Sequence, residues 1–507
     1  MSQAQTTAES LELMKAAQAA PNNELAKAWT QSGSAIQGIT AYDLEGPAKK
    51  LYPVITPLRN RIPRVSGKGG IQANWRAITG INTGGVSAGV GGGNRGGVMA
   101  TSTANYIAAY AGLGLEDYAT FEADYAAEGF DDVKALTVEG LLRALMIQEE
   151  RIIVGGNNSI ALGQVGTVTT SASTTGGAIT GATGGAKTVY INVVALTLEG
   201  YLNATVSATG VPGAVSRTNA DSSTDTYGGG SSQPSAEATQ VCGTSTDTNS
   251  VNTSWTPING AVAYAVYWST SGTGTARLGA ITTINSYVIT SLTGGASNQL
   301  ASALSADNSQ NSLVYDGLFS QLMKAGSGAY IARQATGTPG TGTPLTSDSA
   351  GGIVEIDAAL RSFWDNYRLS PTDIYVNAQE MLNISKKILA NSSSSAQRFT
   401  FNVDQGMIAG GTMVRSYLNK FGMNGPQEIP IRLHPNVPAG TIMFFTDSIP
   451  YPLSNVTNVL QVRTRRDYYQ IEWPMRSRKY EYGVYADEVL QNFFPPAFGL
   501  ITNIANG

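Results

Sequence analysis

Metal-centred and nucleophilic catalysis draw on few residue types, and two of the most useful are almost missing from this chain of 507 residues, which has one cysteine, Cys242, and one histidine, His434. A zinc centre needs three or four ligands, drawn chiefly from these types, and a Ser–His or Cys–His pair needs an imidazole beside its nucleophile. His434 sits in RLHPNVPAG, a turn bracketed by Pro435 and Pro438 with no acidic partner in the local sequence. It is expected to be structural or exposed, not a general base. Carboxylates are present, but no spacing singles out an acid/base pair. The reading is of a chain that is not an enzyme, with no catalytic residue, no cofactor and no metal.

Phosphate-binding chemistry has one apparent signature. Gly91, Gly93 and Gly96 satisfy G-x-G-x-x-G, and Glu116 follows about 20 residues later, as a dinucleotide site requires. The context argues against it, because no helix-forming run follows Gly96 to present its N-terminus to a pyrophosphate. A segment this rich in glycine matches the pattern by accident.

The densest chemistry lies near the C-terminus, in RTRRDYYQIEWPMRSRKYEYGVYADEVLQN. Its basic and aromatic residues would suit a nucleic-acid groove, a catalytic floor or a seam between subunits. Asp467, Glu472, Glu481, Asp487 and Glu488 are interleaved with the cations, and the whole chain carries a formal charge of -4, so no cationic field exists to track DNA. Arginine and tyrosine balanced by acids is the composition of a protein interface. The candidate subunit interface is therefore Arg463, Arg465, Arg466, Tyr468, Tyr469, Trp473, Arg476, Arg478, Tyr480 and Tyr482. An ordinary solvated strand face is the weaker alternative, and a nucleic-acid site the weakest.

These residues need strands to carry them. Pro474 cannot donate to a sheet ladder, so the stretch reads as two strands joined near Trp473–Pro474–Met475. Alternation would place Arg466 with Tyr468 and Glu472, and Arg463 and Arg465 with Asp467 and Tyr469. At the other end of the chain, Thr6 and Glu9 have capping-box spacing ahead of Leu11, Met14, Ala17 and Gln18, and Asn23 to Trp29 extends or follows that helix. Pro47, Pro53, Pro57 and Pro63 then impose an extended, kinked arm. Alternating segments around Ile71–Ala77 and Met99–Tyr110 flank the glycine-rich run as a long hairpin. The strongest helix runs from about Thr137 to Val154, with Val138, Leu141, Leu142, Leu145 and Ile152 on one face and Glu149, Glu150 and Arg151 on a solvated or partner-facing edge.

From Ser159 to Ala301 charge almost vanishes and strand-like runs alternate with Gly, Asn, Pro and Ser, so an all-β unit is inserted there. Its tryptophans Trp255 and Trp268 would either fill the core, the favoured reading, or stand exposed and bind carbohydrate weakly. Removing residues 165–295 is expected to leave the host's assembly intact. After Leu313 helices and strands alternate in a mixed α and β domain. The start of the chain lacks a basic segment followed by an apolar run, and no stretch approaches the length of a membrane span. Synthesis in the cytosol without export is the expectation, with no membrane partner.

The C-terminal order RRDYYQIEWPMRSRKYEYGVYADEVLQNFFPPAFGLITNI, preceded by VPAGTIMFFTD, resembles the end of a tailed-phage major capsid protein of the Hong Kong 97 fold. The arm LYPVITPLRNRIPRV, the glycine-tipped hairpin and the long helix fit that family in the same order. Within the insert, Trp255, Pro257, Gly260, Ala261, Tyr264 and Tyr267 are similar to a run in immunoglobulin-like or fibronectin-like domains. The resemblance implies an α+β fold with an N-terminal arm at 1–65, an extended loop at 66–110, a peripheral domain with its spine helix at 111–160, an inserted immunoglobulin-like sandwich at 161–300, an axial domain at 301–450 and the rest of the peripheral domain at 451–507. It further implies self-assembly through hexamers and pentamers into an icosahedral head around double-stranded DNA, built in the host cytoplasm. Portal, scaffolding or decoration proteins would be further partners. Some members of the family cross-link a loop lysine to an asparagine; with Lys68 near the loop's base and Arg95 at its tip, noncovalent assembly is expected here. The alternative from another class is an exported or cell-surface adhesin of tandem β domains, suggested by Ser/Thr richness and disfavoured by the start of the chain; a carbohydrate-active enzyme ranks third.

Overall fold

The computed structural model describes residues 49–505 except 130, 182–183, 350, 390–413, 423–424 and 453. The helix expected around Thr6 and the segment Asn23–Trp29 lie outside the described residues, as do residues 405–413 of the run QGMIAGGTMVRSYLN, which reads as a strand. The chain forms two compact units. One holds Glu116–Arg143, Glu472–Gly483 and the described residues up to Ile55; the other holds Thr56–Leu115, Ala144–Ile471 and the chain from Val484 onward.

Pro57 opens a single helical turn, α1 (Pro57–Arg61), where its missing N–H costs nothing, and the chain is extended again before Pro63. Strand β1 (Arg64–Ser66) follows, then the hairpin strands β2 (Gln72–Ile81) and β3 (Thr101–Ala109), β4 (Ala111–Thr120), α2 (Phe121–Ala127) and the long helix α3 (Val133–Gly155). Helix α3 starts four residues before the sequence reading, because the carboxylate of Asp132 accepts from the Ala135 N–H at 3.0 Å and caps it. It stops where two glycines meet other chain segments: a Cβ on Gly155 would lie 2.3 Å from Leu198, and one on Gly156 2.4 Å from the Tyr315 carbonyl.

The stretch expected to be an insert, and called the insert, comprises β5 (Thr169–Ser173), β6 (Lys187–Leu196), α4 (Leu198–Asn203), β7 (Ala214–Thr218), β8 (Thr224–Gly228), β9 (Ala238–Cys242), β10 (Ser250–Ser254), β11 (Ala263–Ser269), β12 (Arg277–Thr282) and β13 (Ser286–Ile289). A three-stranded sheet, β13-β10-β5, shares one apolar core with a four-stranded sheet, β12-β11-β6-β9. Trp255 and Trp268 are both in that core, as the packing alternative expected. A second cluster covers the opposite face of the four-stranded sheet through Val194, Ala265, Tyr267 and Leu304, so β11 is buried along its whole length. This explains why AYAVYWS reads as a continuous apolar run without alternation.

The remainder of the chain forms α5 (Leu318–Met323), β14 (Tyr330–Arg333), α6 (Val354–Tyr367), β15 (Asp373–Val376), α7 (Ala378–Leu389), β16 (Ser416–Asn419), β17 (Gln427–Leu433), β18 (Ile442–Phe445), β19 (Leu460–Glu472), β20 (Lys479–Asn492) and β21 (Gly499–Thr502). A mixed sheet runs in the order β14-β21-β18-β15-β17-β16, and a second runs β1-β19-β20-β4. The helical periodicity beginning at Leu313 yields only the short α5. Residues 311–317 instead pair with the end of α3, with Asn311 N–H donating to the Asn157 carbonyl at 2.7 Å and Gly317 N–H to Gly156 at 2.8 Å.

The insert is keyed into its host. Asn285 N–H donates to Asn503 Oδ1 at 2.8 Å, and Asn503 Nδ2 returns a bond to Asn285 Oδ1 at 2.9 Å, both residues being buried. Asn503 adopts a left-handed φ of 64°, which asparagine tolerates better than most residues. Gly340 N–H also donates to Ser286 Oγ at 3.1 Å. Deleting 165–295 would therefore strip Asn503 of a buried partner.

Candidate assembly surface

Strands β2 and β3 pair antiparallel from Gln72↔Ala109 to Ile81↔Thr101, with a register shift between Ile78 and Gly80. Residues 82–100 link them, and the three glycines of the dinucleotide-like pattern lie in this link, followed by a strand and not by a helix. Within β2 and β3 only Ala73 is buried. Ile71, Ile78, Ile81 and Ile107 are 65–79% exposed, and Val98 is 91% exposed. Covering each such side chain releases roughly 1.5–3 kcal/mol. A two-stranded ribbon cannot bury both of its own faces, so this apolar area is available to other chains.

At the hairpin's root the arm is clasped by buried carboxylates. Glu149 and Glu150, expected on a solvated or partner-facing edge, are each 1% exposed. This is a correction with a clear cause: Glu149 continues the row Leu141–Leu145–Ile153, and Glu150 the row Leu142–Met146–Val154, so both occupy core positions of α3. Glu150 Oε1 and Oε2 accept the backbone N–H groups of Leu58 and Arg59 at 3.0 and 2.7 Å, capping α1, and Oε1 also lies 2.6 Å from Nε2 of His434. Glu149 is bound by Arg59 at 2.9 Å, by Arg64 and by the Tyr468 hydroxyl. Arg64 also reaches Asp467 and Glu488, each at 2.7 Å, with its guanidinium 4.6 Å above the Tyr468 ring.

A third arm arginine is anchored separately. Arg61 pairs with Asp447 and Asp373 and donates to the Tyr375 hydroxyl at 3.1 Å, with Phe445 beneath it at 5.1 Å. Burial works against its charge, but the bonds to Asp447 and Asp373 more than offset this and hold its pKa above the ordinary arginine value. The spacing Arg59, Arg61, Arg64 thus distributes three cations over two sets of partners, with Arg59 and Arg64 sharing Glu149.

The ten residues singled out from sequence separate between the two units. Strand β19 ends at Glu472 and β20 begins at Lys479, so the joint falls where Pro474 placed it. In the larger unit, Arg465 pairs with Asp487 at 2.9 Å, Arg466 lies 4.0 Å over the Tyr469 ring, and Tyr469 stacks on Tyr485 at 5.8 Å. Arg463 is half-buried with Nε unpartnered, and Tyr468 is spent on Glu149 inside the chain. In the smaller unit, Arg478 pairs with Glu122 at 3.0 Å, and Tyr480 packs on Phe121 at 4.8 Å with Lys134 over its ring at 4.0 Å. Tyr482 is buried within its own unit, whereas Trp473, Met475 and Arg476 are exposed at the joint. Sequence reasoning missed Ile78 and Ile107, which the register of the hairpin sets on one face, and Val98 in the link, all of them left open.

His434 is buried, and Cys242 is a free thiol in the insert's core, its pKa pushed up by burial. Among the described residues no group of three His, Cys, Asp or Glu side chains is placed to hold a metal, and no helix is long and apolar enough to cross a membrane. A cavity of about 390 Å³ lies between α3 and the insert, lined by Leu145, Arg151, Leu198 and Glu199. Burial raises the pKa of Glu199, and its bonds from Asn311 partly counter this.

No protein-family model matches the sequence, and no curated protein matches it. Among solved structures, the chain is similar over 92% of its length to 96% of a chain in the capsid of the native GTA particle, at 7% identity and a TM-score of 0.40. It is similar over 92% of its length to 97% of a chain in the cyanophage A-1(L) capsid, at 11% identity and a TM-score of 0.39. The capsid of Myoviridae phage XM1 aligns over 91% of this chain and 95% of its own, at 9% identity and a TM-score of 0.36.

Proposed function

We propose that this chain is the major capsid protein of a tailed bacteriophage, assembling as hexamers and pentamers into an icosahedral head around double-stranded DNA. The observation that carries the reading is the hairpin of β2 and β3, one face of which leaves Ile78, Ile81 and Ile107 open while the other is partly covered by its own chain through Trp75 and Phe493. Such a feature is stable in water only when other chains lie against it. Extended elements that reach over neighbours enlarge each contact beyond what compact domains offer, which suits a shell built from repeated heterologous interfaces.

In this reading the smaller unit and the sheet of β1, β19, β20 and β4 form the peripheral domain, and the mixed six-stranded sheet forms the axial domain. The insert is an immunoglobulin-like domain displayed on the shell. Trp473, Arg476 and Arg478, exposed at the joint of β19 and β20, supply a second contact between subunits. Tyr468 and Tyr482 belong to the internal support of that surface. With Trp255 and Trp268 buried, the insert keeps no tryptophan for a sugar to stack on. A net charge of -4 leaves the inner wall without a cationic hold on DNA that must enter and leave.

Negative-stain microscopy of the concentrated full chain tests the proposal. Closed shells or curved sheets are expected; a field of isolated single chains at every concentration would refute it.

A further inference from the structure

We propose that the cluster around Arg64 is a proton-dependent latch on the root of the hairpin: with one proton held by the Glu149–Glu488 pair, β1 is clamped in place, and losing that proton loosens it. This reading stands independently of the shell function.

The argument is a charge count. Three carboxylates, Glu149 from α3, Asp467 from β19 and Glu488 from β20, share two guanidiniums, those of Arg59 and Arg64. Asp467 is 54% exposed and keeps its solvation, whereas Glu149 and Glu488 are almost wholly buried. The other titratable groups facing Glu488 are hydroxyls: Tyr315 donates to Glu488 Oε1 at 2.9 Å, and Tyr468 donates to Glu149 across the Arg64 guanidinium. Glu150 and His434 are engaged with each other and with α1, so they bring no spare cation. The fully ionised cluster therefore carries excess negative charge where solvation is poor, and one bound proton removes it.

Glu488 is the acceptor of that proton. Glu149 is held by two guanidiniums and a hydroxyl, whereas Glu488 has one guanidinium and a hydroxyl that can exchange donor and acceptor roles. Burial, and then the charge of Glu149, push the Glu488 carboxyl up to about 7 against the pull of Arg64. Because this value is raised by folding, the stabilisation is complete below the ordinary carboxylate range and is lost as pH rises through about 7.

What responds is β1. It is an edge strand of three residues, paired in parallel with β19, and its local tethers include Val462 N–H to the Pro63 carbonyl at 3.0 Å and Gly67 N–H to the Thr464 carbonyl at 2.6 Å. Strand β2 of the hairpin starts at Gln72, a few residues later.

Amide hydrogen exchange on the full chain between pH 6 and 8.5, corrected for intrinsic exchange, is the test. Protection at Val65–Gly67 is expected to fall by up to about tenfold per pH unit above 7, while β18 does not change. Glu488→Gln, which imitates the protonated carboxyl, should keep these amides protected at every pH. Glu149→Gln, which removes the like charge that helps to raise the Glu488 carboxyl, should move the fall to lower pH and shrink it, or abolish it. The proposal is overturned if wild-type protection is flat with pH, or if either variant keeps the wild-type profile. Should Glu488→Gln not fold, Glu149→Gln alone decides.

Discussion

Nε2 of His434 lies 2.6 Å from Oε1 of Glu150, with both side chains buried, and the backbone N–H of Asn436 donates to Nδ1 of the same ring at 3.1 Å. Since Nδ1 accepts, Nε2 is placed to donate to Glu150, so the one imidazole of the chain is a strut between the 434–436 turn and the side chain that caps α1. His434→Ala should cost on the order of 2–3 kcal/mol by leaving Glu150 a donor short in the interior, and His434→Gln, which can still donate, about half as much. Urea denaturation of the two variants measures this ordering, and equal costs would contradict it.

The Asn285–Asn503 pair couples the insert to the C-terminal strand. Asn503→Ala loses the bonds to Asn285 and Gln334 and places a Cβ-bearing residue without a compensating amide at φ 64°. A loss of roughly 2–4 kcal/mol is expected. Asn503→Gly should recover about 1 kcal/mol of it, because glycine adopts that backbone freely. If insert and host are one cooperative body, thermal unfolding of either variant will move both in a single transition; two separate transitions would mark the insert as independent.

Glu380, near the start of α7, is fully buried among uncharged partners, accepting from Gly440 N–H at 3.1 Å and from the Asn383 amide. Burial pushes its carboxyl up to about 7. A carboxyl raised by folding stabilises most at low pH, and that contribution disappears as pH climbs through about 7. Glu380→Gln should therefore match the wild type near pH 5 and exceed it at pH 8.5 by on the order of 1–3 kcal/mol. A variant less stable than wild type at pH 8.5 would show that the ionised carboxylate is wanted there.

Much of the architecture was legible because its signals are local. Alternation and the glycine run marked β2 and β3, Pro474 marked the joint of β19 and β20, and the loss of charge after Ser159 marked the strand-rich stretch from β5 to β13. The clasp was not read, although half of it stood in the sequence: Glu149 and Glu150 interrupt two apolar rows of α3 in positions that only a buried side chain fills. Their partners lie about 90 residues upstream, on an arm whose arginines look solvated, and no local pattern pairs them. Asn285 and Asn503 are 218 positions apart and equally silent. The resemblance to capsid proteins supplied an order of elements, while the open face of the hairpin, with Ile78 and Ile107, became visible only when no other part of the larger unit covered it.

The central claim is that this hairpin is built to be covered by further copies of the same chain. Ile78→Asp combined with Ile107→Asp places charge on side chains that contribute little to their own unit, so circular dichroism and the unfolding midpoint should stay close to wild type. Sedimentation velocity then decides. The wild type should run as large, fast particles and the double variant as single chains or small oligomers; particles of undiminished size from the folded double variant would contradict the account.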